Sequence, residues 1–82
     1  MDKQSDNIKL APESLLTTAS QSLSLLARSI VSGAQYREHQ GVIVMTIRSS
    51  DAHLLLMQRL RNEIIEAVQL TWGMGVRFER LV

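Results

Sequence analysis

The sequence predicts a small two-layer α+β domain, with helices on one face of a three-stranded sheet and the element order α-β-β-α-β. Three observations carry that expectation. Apolar residues from Leu15 to Ile30 recur at helical spacing, and Val42, Ile43, Val44, Met45, Thr46 and Ile47 form a β-branched run. A second helical stripe through Leu60, Ile64, Ala67 and Val68 then leads over two glycines into an alternating stretch at Val76 and Phe78. With 82 residues there is room for one domain.

The elements follow in order. Residues 1–9 lack periodicity and read as a flexible tail, which leaves 10–82 as the domain. Pro12 suits a first helical position, Glu13 suits the positive end of the helix dipole, and Leu10 with Leu15 can staple the helix start. Leu15, Leu16, Ala19, Leu23, Leu26, Ala27 and Ile30 then define one face of a single helix stopped by Gly33. The polar stretch at 34–39 reads as a hairpin partner of the strand at 42–47, joined by a turn at Gln40 and Gly41. That strand is apolar on both faces, so Val42, Val44 and Thr46 are expected to give the sheet a mildly apolar outer surface.

Ser49, Ser50 and Asp51 offer caps for a long helix over 52–70, in which Met57 joins the core stripe and Leu54 and Leu56 extend it backwards. Its length, nearly 30 Å, leaves room for a bend. Gly73 and Gly75 can both take positive φ, and the last strand should show Val76, Phe78, Arg80 and Val82 on one side.

Composition narrows the function. Aromatic residues are only 4% of the chain, too few to wall a deep substrate pocket, which favours a binding module over an enzyme. The absence of cysteine excludes disulfides, thiolate nucleophiles and cysteine-based zinc sites. The polar, mixed-charge start does not resemble a signal peptide, and no apolar run could span a bilayer, so a cytoplasmic protein without membrane attachment is expected. The net charge of +1 writes no strong pull on nucleic acid into the total. Beyond Lys9, however, every cation is arginine, a residue suited to bidentate and stacking contacts.

Candidate chemistry has simpler structural explanations. Ser49, Ser50, Asp51 and His53 bring together hydroxyl, carboxylate and imidazole, yet helix capping accounts for the first three. His39 and His53 are the only histidines and have no clustered carboxylates, so no metal site is expected. Glu63 and Glu66 share a helix face, but Arg59 stands four residues before Glu63 and can pair with it. Gly73-Met74-Gly75 precedes a strand and reads as a turn, not a phosphate loop. No catalytic residue and no cofactor are assigned.

The residues left as contacts for a partner or nucleic acid are Arg48, Arg59, Arg61, Arg77 and Trp72. Arg48 stands beside a helix start, Arg59 and Arg61 lie on different flanks of the long helix, and Trp72 is a residue type that anchors interfaces.

The order of elements resembles the type II KH-like arrangement, without the Gly-x-x-Gly loop with which RNA-binding members clamp a backbone. More closely, the chain resembles the DciA-type family of bacterial proteins that help load the replicative helicase. The likeness rests on Gly41-Val42-Ile43-Val44-Met45-Thr46-Ile47, the Ser49-Ser50-Asp51-Ala52 cap, the leucine-rich helix and Val76-Arg77-Phe78-Glu79-Arg80, and spans roughly residues 14–82. Where family members commonly carry tryptophan after the cap, this chain has Asp51, Ala52 and His53. The resemblance implies a non-enzymatic partner of the replicative helicase with weak affinity for single-stranded DNA. The other expectation is an assembly subunit of a larger complex, a homo-oligomer formed through the outer sheet face at Val42 and Val44.

Overall fold

The computed structural model describes residues 10–80, so the expected tail at 1–9 and the last strand residues Leu81 and Val82 lie outside the described residues. Four α-helices and three strands make up this span: α1 (Pro12–Thr18), α2 (Leu25–Gly33), β1 (Gln35–His39), β2 (Val42–Ile47), α3 (Ser49–Ala52), α4 (Gln58–Trp72) and β3 (Gly75–Arg80). Two short 3-10 turns, Ser20–Ser22 and His53–Leu56, interrupt the helical segments.

The sheet order is β1-β2-β3. β1 and β2 are antiparallel across a hairpin whose turn residues, Gln40 and Gly41, both have positive φ. β2 and β3 are parallel, a pairing that needs a long crossover; α3 and α4 supply it. The expected mixed fold and its element order are therefore present, with each expected helix divided in two.

Both divisions correct the sequence reading. The expected first helix breaks at residues 19–24, between α1 and α2. Leu26, expected in the stripe, is 48% exposed, while Val31 takes the core position one turn on. The expected second helix begins earlier, at Ser49, and breaks at Met57, whose ψ of 111° is extended. Leu55 points inward there, whereas Leu56 and Met57 are 86% and 49% exposed. Four successive apolar residues cannot all share one helical face, and the break distributes them.

Leu15, Ala27, Ile30, Val31, Ile43, Met45, Ile47, Leu60, Ile64 and Val68 lead the core between helices and sheet. Tyr36 and Trp72 close it on the β1 side, with ring centroids 5.6 Å apart and planes tilted by 59°. The Tyr36 hydroxyl donates to the Val31 carbonyl at 2.7 Å, one of the last carbonyls of α2. On the β3 side, the Arg61 guanidinium lies 5.5 Å from the Phe78 ring centroid.

The outer face of the sheet also departs from expectation. Val44 faces away from the helices, yet none of it is exposed. Pairing sets Arg37 and Arg77 on either side of it, and both guanidinium groups donate to Glu79, at 3.2 and 3.3 Å. The aliphatic stems of the two arginines thereby close over the valine. This face is a charged seal, not the apolar surface expected from Val42, Val44 and Thr46. The expected homo-oligomer interface loses its central residue.

Gly33, Gly41 and Gly73 stand where the sequence reading put them, and Gly75 differs. Gly73 takes φ 71° and ends α4, but Gly75 lies within β3 without a positive φ. Gly33 ends α2 without a positive φ. It is small because the Arg48 guanidinium occupies the space where its Cβ would stand.

Candidate functional site

The break between α3 and α4 is built without a side-chain cap. Met57 is the N-cap of α4, and only its carbonyl participates, accepting from the amides of Leu60 and Arg61 at 3.0 and 3.2 Å. A preceding 3-10 turn leaves Leu56 and Met57 at the surface. Beside them, the C-terminal ends of the parallel pair β2 and β3 stand apart from α3 and the start of α4. The gap is an open cleft of about 190 Å³. Ile47, Ala52, Leu55 and Phe78 provide its apolar wall, and Leu56, Arg61, Glu79 and Arg80 its rim.

The rim is electrostatically uneven. The Glu79 carboxylate is engaged by Arg37 and Arg77 on the outer sheet face. Arg61 lies over Phe78, and Arg80 is exposed. Two cations therefore border an apolar cleft whose one acidic neighbour is already bonded elsewhere. Alternation along β3 places Phe78 and Arg80 on the same side, as expected, and the start of α4 brings Arg61 to them.

The residues expected to make partner contacts are scattered around the domain. Arg61 alone reaches the cleft. Arg48 bonds Asp51 through Nε and Nη2 at 2.9 and 2.7 Å while resting on Gly33, so it ties together the ends of α2 and β2 and the start of α3. Arg59 is 84% exposed and stands 3.6 Å from Glu63, the expected pair. Arg77 belongs to the sealed outer face of the sheet, and Trp72 packs on Tyr36 against the core.

Asp51 was expected as a cap but has no capping hydrogen bond; its Oδ2 is held by Arg48 instead. The same bond takes this carboxylate away from any role in orienting His53. Both His39 and His53 are exposed. Among the described residues no group of three or more metal-ligating side chains comes together, and no helix is long and apolar enough to cross a membrane.

Sequence reasoning missed Leu55, Leu56, Phe78 and Arg80 as site residues. The signal available was the run Leu54-Leu55-Leu56-Met57, one apolar residue after another where a helix stripe needs gaps. It also missed Glu63 as a structural acceptor. Glu63 Oε1 receives the Ser24 amide at 2.9 Å, a contact between residues 39 apart in the chain that no local pattern announces. Compared with known proteins, the chain matches no family model, no curated protein and no solved structure.

Proposed function

We propose that this chain is a non-enzymatic interaction module of DNA replication, similar to the DciA-type proteins, that binds the replicative helicase and assists its loading. The observation that carries the binding role is the pair Leu56 and Met57, held at the surface by a helix break beside an apolar cleft. Both side chains contribute little to the core of the domain. Exposed apolar side chains at a cleft suit a protein partner. The resemblance in the strand, cap and closing strand supplies the identity of that partner.

Nucleic acid has a minor part in this reading. Arg59 and Arg61 are exposed on α4, and Arg77 sits on the outer sheet face, so single-stranded DNA meets separate cations instead of one groove. Such contacts are weak and fade steeply with salt. Titration of the full chain with purified replicative helicase tests the reading: saturable binding supports it, and its absence over a micromolar range contradicts it. Binding to oligothymidylate at low salt that vanishes at moderate salt supports the auxiliary contacts.

A further inference from the structure

We propose that the cleft between β3 and the break at Met57 accepts an acidic segment of a partner protein that inserts one large apolar side chain. This deepens the interaction reading above, and rests on it for the partner being a protein. The size of the cleft is the first argument. At about 190 Å³ it falls below the ~300 Å³ at which small-molecule pockets begin, yet it suits a single anchoring side chain. Its wall is apolar, from Ile47, Ala52, Leu55 and Phe78.

Charge complementarity specifies the flanks of the occupant. Arg61 and Arg80 border the cleft, while Glu79 is bonded to Arg37 and Arg77 on the other face of the sheet. An incoming carboxylate thus meets guanidinium groups that no carboxylate among the described residues has taken. Leu56 and Met57 extend the apolar contact beyond the cleft, and methionine adapts its shape to varied partners. A segment carrying basic residues would be repelled at the same rim.

Fluorescence anisotropy of the full chain tests this, with a labelled peptide of glutamates and leucines around a central phenylalanine. The same peptide with lysine for glutamate, and labelled oligothymidylate, serve as competitors for the assignment. The expected result is that only the glutamate peptide binds the cleft, and that Leu56→Ser and Arg80→Glu each weaken it about tenfold or more. Leu25→Ser, 81% exposed at the start of α2 and away from the cleft, leaves peptide binding unchanged. Thermal unfolding of each variant verifies that it is folded, since Leu56 and Arg80 are exposed.

Equal binding of the lysine peptide, no binding of the glutamate peptide, or indifference to both substitutions overturns the proposal. Oligothymidylate binding lost in the same two variants also overturns it, by making nucleic acid the occupant. Purified helicase is titrated in parallel to separate the two readings. Helicase bound equally by wild type and variants removes the cleft but keeps the partner. Glutamate peptide bound without helicase keeps the cleft and removes the partner.

Discussion

The two helix breaks of this domain differ in how side chains bond the backbone and in what lies beside them. At residues 19–24 side chains bond the backbone of the break and Leu23 turns inward, although Leu25 and Leu26 at the start of α2 are 81% and 48% exposed. Leu23 is buried, Ser24 Oγ accepts from the Ala27 amide at 3.3 Å, and Glu63 reaches across from α4 to accept the Ser24 amide. Arg28 Nε donates to the Leu23 carbonyl at 3.2 Å. At Met57 no side chain caps the new helix, and two large apolar residues face outward. Both joints leave two large apolar residues outside, but only the one at Met57 sets them beside a cleft and lacks a side-chain cap.

Substitutions at the two breaks should therefore separate stability from binding. Glu63→Ala should have the largest effect on stability, about 2 kcal/mol by urea unfolding, because it leaves the Ser24 amide without its charged acceptor. Ser24→Ala should cost about 1 kcal/mol as the loss of an N-cap. The pair should be non-additive, since both substitutions disturb the same joint. Equal and small effects from both would show that the first break is no more structural than the second.

The C-terminal end of α2 offers a pH-dependent test. Burial pushes the Tyr36 phenol well above its ordinary range, because ionisation would place a charge among core residues. A phenol whose folded pKa is raised stabilises fully below the unfolded value near ~10 and loses that contribution as pH rises further. Wild type should thus lose stability above pH ~10, and Tyr36→Phe should narrow the gap between the two proteins there. Parallel curves would contradict the assignment. The smallest stability effect belongs to the break at Met57: Leu56→Ser should stay within about 0.5 kcal/mol of wild type.

How much of this was legible in the sequence follows from which contacts are local. The hairpin, the last strand and the core face of α4 follow from period and turn chemistry, and the structure contains them; the parallel pairing of that last strand follows from neither. The second break had a local sign in the run Leu54-Leu55-Leu56-Met57, but the contacts that complete both breaks come from residues distant in sequence. Glu63 bonds the first from α4, and the strand ends at Ile47 and Arg80 border the second. The double apolar face of β2 was legible as a pattern but ambiguous in meaning. One face is covered by helices and the other by arginine stems drawn together over Val44 by Glu79. Arg48 looked like a ligand for an outside anion because its partner Asp51 looked like a cap; the geometry makes them partners of each other.

The central claim is that the break at Met57 and its cleft form the docking surface, whereas the break at residues 19–24 and the outer sheet face do not. Backbone amide chemical shifts of the full chain, recorded while the glutamate-flanked peptide is added, test it most directly. The account predicts perturbations at Ile47, Ala52, Leu55, Leu56, Met57, Arg61, Phe78 and Arg80, with residues 23–28 and 35–39 unmoved. Perturbations centred on the Ser24–Glu63 joint or on Arg37, Val44 and Arg77 would contradict it.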